Sequence, residues 1–393
     1  MATTIPGTPS WLRETNDRTA LSLLLEHGML TRNRIGELSG LSKPTASQIV
    51  SRLETAGLIE VVGEVSGGRG PNAVSYGVRS DRVLGVAVDI DESVIRSSLV
   101  DARGSEHPVV EITIGDTGKR SAEADIRAAI QAACGASSTD AAAVKIVCIG
   151  VQGSIDQHTD ELSFIDTLPG WPRTGVRAEL EAALGLSVYI ENDVNLAALS
   201  ERFEGAGASS FSFALLWMGD GLGLAVDLGG AVHRGAAGGA GEIGYLPVPK
   251  VAAGIDPAAT DLQDLIGGSA VIDIARRHGI EGTDAKSIAD SMVGHPHRAA
   301  VLAELAPRIA LGVVPILAIL DPEVIVLGGP IGLAGGDALA ELVRVEIERD
   351  HPWRPLITGS AVARHPVLRG AREMLMHRVR EVLFTEISSL TGI

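Results

Sequence analysis

Only two cysteines, Cys134 and Cys148, occur in 393 residues. That excludes a disulfide framework and a cysteine-rich zinc cluster, and both thiols read as small core residues. Aromatic residues make up 3% of the chain, so aliphatic side chains and alanine must fill the core. Long apolar runs are missing too. The longest, near 313–320, is too short to span a bilayer and contains Pro315. The first ten residues are polar and carry prolines, unlike a signal sequence. A cytoplasmic protein with no membrane contact is expected. Positive charge is also in deficit, with a formal net charge of −16. The deficit is uneven: residues 1–80 hold eight Lys or Arg against seven Asp or Glu, so the acidic excess lies downstream. Such asymmetry suits a chain of which one end meets nucleic acid.

What is present begins with a compact unit over 1–80. Leu21, Leu24 and Leu25 predict a first helix over 17–27 that ends at Gly28. Thr31 caps a short second helix carrying Ile35 and Leu38. After Gly40-Leu41, Ser42 caps a third helix that tolerates Pro44 in its first turn. Ala46, Ile49, Val50 and Leu53 form its inward stripe. Two β segments follow, 59–65 and 73–78, joined by Ser66-Gly67-Gly68-Arg69-Gly70-Pro71. Three helices and a hairpin in this order predict a winged helix-turn-helix. Opposite the apolar stripe, Pro44, Gln48 and Ser51 face outward, flanked by Lys43, Thr45, Ser47 and Arg52. Such a helix presents its early residues to base edges in a major groove. Gln can bond adenine twice, Ser and Thr suit base or phosphate, and Lys43 and Arg52 suit phosphates. Arg69 at the wing tip suits a narrow minor groove. The competing reading is a winged helix that binds protein through an ordinary solvated face.

Downstream, strands and helices alternate. Strands end in loops at Asp89, Gly150, Asp193, Gly219 and Gly328, the pattern of a two-lobed α/β fold with a central cleft. Asn192, Asp193 and Glu242 could grip adjacent hydroxyls of a sugar with charge-assisted bonds. The plain alternative for Asn192-Asp193 is a helix cap.

The motifs resemble those of the ROK family (repressors, open reading frames and kinases). The N-terminal unit, with Leu41-Ser42, Gly57-Leu58 and Gly67-Gly68-Arg69, is similar to the family's DNA-binding module. Gly150-Val-Gln-Gly-Ser-Ile-Asp156, Leu168-Pro-Gly-Trp171, Glu191-Asn-Asp-Val-Asn195, Gly-Glu-Ile-Gly-Tyr at 241–245 and Asp321-Pro-Glu-Val-Ile-Val-Leu-Gly-Gly329 follow in the family's order. The resemblance implies an actin-like, hexokinase-like (ribonuclease H-like) ATPase-type fold after the winged helix. It implies a small α/β lobe over 81–191, completed by a C-terminal helix over 369–393. It also implies a large lobe over 192–368 that carries the ligand cleft and a dimerisation surface. Gly153, Asn192, Asp193, Glu242, Tyr245 and Gln263 are the implied ligand-binding residues. In a family kinase Asp193 would be the general base.

Two departures redirect the reading. Family kinases carry Asp-x-Gly-Gly-Thr after the first strand, where backbone amides cradle phosphate. Here the stretch is Asp89-Ile-Asp-Glu-Ser93, with carboxylates in place of glycines. The family's usual histidine is Tyr245, and 250–263 holds neither Cys nor His, so no zinc is expected. The expectation is a non-catalytic regulator, without cofactor or metal, of genes for sugar uptake or catabolism. Its partners would be an operator in double-stranded DNA, a sugar or sugar phosphate as effector, and a second copy of itself as a homodimer or dimer of dimers. A working kinase, or a regulator whose cleft answers to a protein or non-sugar metabolite, stands as the alternative.

Overall fold

The computed structural model describes residues 7–65, 73–115, 120–163 and 168–390. Helix α1 spans Pro9–His27, β1 Met29–Thr31, α2 Arg32–Ser39 and α3 Lys43–Thr55; β2 (Ile59–Val65) and β3 (Ala73–Val78) close the unit. Side-chain caps set these helices. Thr31 accepts from the Arg34 amide and Ser42 from the Thr45 amide, while Gly40 takes a left-handed conformation after α2. The three strands pair in the order β1-β3-β2. This is a winged helix-turn-helix.

Helix α1 starts eight residues before the predicted position. Thr8 caps it through the Trp11 amide, and Pro9 occupies the first turn, where a missing N–H is harmless. The loop of the wing, including Arg69, lies outside the described residues.

The rest of the chain forms two lobes. In the first, β4 (Leu84–Ile90), β5 (Val94–Asp101), β6 (Val110–Thr113), β7 (Val144–Val151) and a later strand form one sheet. Helices α4 (Ala122–Ala136) and α5 (Val176–Leu184) belong with it, as does the hairpin β8 (Ser154–Asp156) and β9 (Glu161–Ser163). The later strand, β10 (Ser187–Asn192), completes the order β10-β7-β4-β5-β6 and runs directly into α6 (Asp193–Glu204). In the second lobe β11 (Ser212–Met218), β12 (Leu222–Leu228) and β13 (Ala231–Val232) precede α7 (Leu262–Ile266), α8 (Gly268–Arg277), α9 (Ala285–Met292) and α10 (Arg298–Leu320). The lobe ends with β14 (Val324–Gly328), α11 (Gly329–Asp350) and β15 (Ile357–Gly359). Its sheet order is β13-β12-β11-β14-β15. Helix α10 is long and apolar enough to cross a membrane by length and composition. Here Val301, Leu305, Ile309, Val313 and Ile316 bury one side of it in the second lobe's core.

Helix α12 (Pro366–Leu390) crosses back to the first lobe and packs on β4, β5, β7 and α6. Gly370 makes the crossing possible: a Cβ there would sit 1.8 Å from the Leu196 carbonyl oxygen of α6. The far end of α12 reaches the winged helix. Leu21, Leu24, Ile49 and Leu53 share one continuous apolar core with Leu375, Val379, Leu383 and Ile387. Each such fully buried side chain contributes about 1.5–3 kcal/mol. Around this seam Arg18 donates to Ser388 Oγ at 2.9 Å and lies over the Phe384 ring, and Arg82 donates to Glu386 at 3.0 Å. The winged helix is thus docked on α12.

Candidate functional site

The cleft residues are set by the junction of β10 and α6. Strand β10 is parallel to β7, which carries its end to the sheet edge beside Gly153. There Asn192 caps α6, its Oδ1 accepting from the Asn195 amide at 2.9 Å, while its Nδ2 donates to the Gly153 carbonyl at 2.9 Å. Asp193 Oδ1 accepts from the Val194 amide at 2.8 Å and from Asn192 Nδ2 at 3.1 Å. Cap and cleft wall are therefore the same residues. Buried Glu191 holds this junction from behind, bonding Asn195 and the Arg234 guanidinium, the latter at 2.6 Å.

Glu242 comes from the opposite side. Gly241 adopts a positive φ and presses on β12 so closely that a Cβ would overlap the Leu224 carbonyl. That fixes Glu242 across from Asp193. Burial pushes the Asp193 carboxyl up to about 7, and the nearby charges of Asp89 and Glu242 add to the rise, against the Val194 hydrogen bond. Burial also raises Glu242. Burial thus shifts both carboxyls toward the protonated form, and Asp193, at about 7, can donate as well as accept.

Gly153, Asn192, Asp193, Glu242, Tyr245 and Gln263 all border one cavity of about 450 Å³. That volume lies within the range of about 300–1,000 Å³ usual for small-molecule sites. Tyr245 stands on its exposed rim. Gln263 is largely committed elsewhere: its Oε1 accepts from the Leu222 amide and its Nε2 donates to the Asp220 carbonyl, both at 2.8 Å. It fastens the glycine-rich turn at 219–223, and one N–H and one lone pair remain for a ligand. Trp217, Asp220 and Asp261 also border the cavity. Sequence reasoning missed them; Trp217 lies two residues before Gly219 and Asp220 directly after it, so that glycine turn was their signal.

The turn that replaces the phosphate loop is closed on itself. Asp91 Oδ1 accepts from the Glu92 amide at 2.6 Å. Arg120 draws the Asp91 and Glu92 carbonyls inward, at 3.3 and 2.8 Å. Asp89 is pushed up to about 6 by burial, against the pull of Arg96.

On the winged helix, Lys43, Pro44, Gln48 and Ser51 are exposed on α3, with Thr45 and Ser47 half-buried beside them. Arg52 departs from the sequence reading. Its Nε and Nη2 clasp Asp17 of α1 at 3.1 and 2.5 Å, and Asp17 is 1% exposed. A buried carboxylate demands a partner, so this fork is committed to the fold.

A winged helix docked on a two-lobed, sugar-kinase-like fold with a polar central cavity defines a helix-turn-helix protein of the ligand-binding class. The chain belongs to the ROK family, whose model matches residues 85–371, and residues 16–70 match the MarR family. A xylose repressor of Caldicellulosiruptor bescii is 23% identical over 372 residues, 87% of this chain and 90% of that protein. An uncharacterized protein of Clostridium perfringens is 32% identical over 219 residues; the match takes in 54% of this chain and 66% of that protein's length. The crystal structure of a ROK family transcriptional regulator, a homolog of the Escherichia coli MLC protein, superposes with a TM-score of 0.67 over 96% of this chain and 99% of that one, at 18% identity. Solved ROK sugar kinases share the fold of the part that follows the winged helix.

Proposed function

We propose that this chain is a cytoplasmic transcriptional repressor of genes for sugar uptake or catabolism. It acts on an operator as a pair of chains, with its cleft serving as an effector site rather than a catalytic one. The observation that carries the reading is the continuous packing from Asp193 through α6 and α12 into α1. A ligand seated on Asn192 and Asp193 bears on α6, α6 bears on α12 through Gly370, and α12 holds the DNA-binding unit. The ligand shifts operator affinity only by its differential affinity for the two arrangements of the lobes. Exposed Lys43, Gln48 and Ser51 supply the groove-facing surface, and a pair of such helices supplies specificity. A relative that spans most of the chain is named a xylose repressor, which supports a sugar as effector.

The same family includes kinases, and Asp193 has the raised carboxyl a general base needs. The closed turn at 89–93 argues against catalysis, because its amide and carbonyls are already engaged within the protein. The test uses the full chain, DNA fragments from its own upstream region and a panel of aldoses. One aldose is expected to change DNA affinity at least tenfold, with no turnover of Mg-ATP. Aldose phosphorylation lost in Asp193→Asn would replace this reading with a kinase.

A further inference from the structure

We infer that the cleft selects an uncharged sugar and rejects its phosphorylated and acidic counterparts. The inference rests on the reading of the cleft as a sugar-effector site. Four carboxylic residues border the cavity, Asp193, Glu242, Asp220 and Asp261, and among the described residues no Lys, Arg or His does. The guanidiniums on neighbouring elements are already paired: Arg96 with Asp89 and Glu111, Arg234 with Glu191.

An anion can also be held without a cation, by free backbone amides at a helix start or a glycine turn. Several such places in and beside this cleft are occupied. At the start of α6 the Val194 amide bonds Asp193 and the Asn195 amide bonds Asn192. In the 219–223 turn the Gly219 amide bonds the Gly221 carbonyl and the Leu222 amide bonds Gln263. In the 89–93 turn the Glu92 amide bonds Asp91. The protein's own acidic side chains thus cap two of these three turns, where a phosphate would otherwise meet open amides. Four acidic residues and, among the described residues, no cation border the cavity, and the Glu242 charge already adds to the rise at buried Asp193, so a phosphate dianion meets a repulsive field in a desolvated space. For a neutral pyranose the same groups are assets. Acidic side chains bond sugar hydroxyls, and Trp217 borders the cavity with an indole that suits the C–H surface of a sugar ring.

The test is calorimetric titration of the full chain at pH 7.5 with matched sets: glucose, glucose 6-phosphate and glucuronate; mannose and its 6-phosphate; N-acetylglucosamine and its 6-phosphate; and xylose. At least one unmodified sugar is expected to bind, with its phosphate or acid form roughly 100-fold weaker or worse. A phosphate ester that binds as tightly as its parent overturns the inference and leaves the sugar-effector reading standing. If no sugar of either kind binds, the sugar-effector reading fails and takes the inference with it. The cause is tested with Asp220→Asn/Asp261→Asn, which keeps the oxygens that accept from the Ala285 and Asp264 amides. The parent-to-ester affinity ratio should shrink at least tenfold in this variant. An unchanged ratio in a variant that melts within a few degrees of the parent overturns the electrostatic assignment.

Discussion

Replacing Arg52 by Ala should destabilise the winged helix without altering how DNA binding responds to salt. Among the described residues Arg52 is the side-chain partner of Asp17, whose carboxylate is almost wholly buried on α1. Removing one member of a fully buried pair costs about 3–5 kcal/mol, because the other charge stays desolvated and alone. The Arg52 side chain is 35% exposed, so water screens part of the interaction, and about 2–3 kcal/mol is the reasoned loss. Urea denaturation followed by circular dichroism reads it. Asp17→Ala/Arg52→Ala should recover part of the loss, since it removes the stranded charge with its partner, and the cycle isolates the coupling. Operator affinity measured between 50 and 200 mM salt, with only folded protein counted, should keep its slope. A phosphate contact would instead lower the slope by about 0.9. An Arg52→Ala protein of unchanged stability with that reduced slope would refute the argument.

On the recognition helix, Gln48→Ala should relax specificity at one base pair by about 1–3 kcal/mol, while Lys43→Ala should weaken all sequences alike; a panel of single-base operator changes separates the two. Asp193 is raised to about 7 and Asp89 to about 6 in the fold. The folded state therefore binds more protons than the unfolded one between about pH 4 and 7, and these two groups lower stability as pH rises through that window. Melting curves across this range should show a flatter pH dependence for Asp193→Asn than for the parent, and parallel curves would contradict the raised carboxyl. Ile387→Ala leaves a cavity at the seam between α12 and the winged helix. It should cost about 2–5 kcal/mol and blunt the effector's influence on DNA more than effector binding itself, as titration with and without DNA would show.

Local chemistry was legible in the sequence. Thr31, Gly40 and Ser42 bounded α2 and α3 because caps are decided within three or four residues. Gly153, Asn192, Asp193, Glu242 and Tyr245 came together because each stands beside a strand end or a glycine turn, where ordered motifs carry their own geometry; Gln263 reaches the cavity from α7. The failures were long-range or competitive. Arg52 and Asp17 lie 35 residues apart, and no local pattern announces that one will satisfy the other. Gln263 looked like a hydroxyl ligand, yet two backbone groups 41 and 43 residues upstream claim most of its amide. Helix α1 was begun late because periodicity was weighed above Thr8 and Pro9. Nor does an apolar stripe on a C-terminal helix say what it covers; Leu383 and Ile387 gain their meaning only beside Leu21 and Leu24.

The position of α12 in the chain sets a timetable for synthesis. The strands β4 and β7 are made early, but the helix that covers them is the last described element to leave the ribosome. At about 5–20 residues per second, the roughly 300 residues between β4 and the end of α12 take about 15–60 s. For that interval the apolar face of the first sheet and the underside of the DNA-binding unit both wait uncovered. A nascent chain can therefore complete its winged helix-turn-helix hydrogen bonds and still lack the seat that orients it. A helix made roughly 300 residues after β4 closes the seam, so a chain released before α12 would carry a DNA-reading head with nothing to aim it.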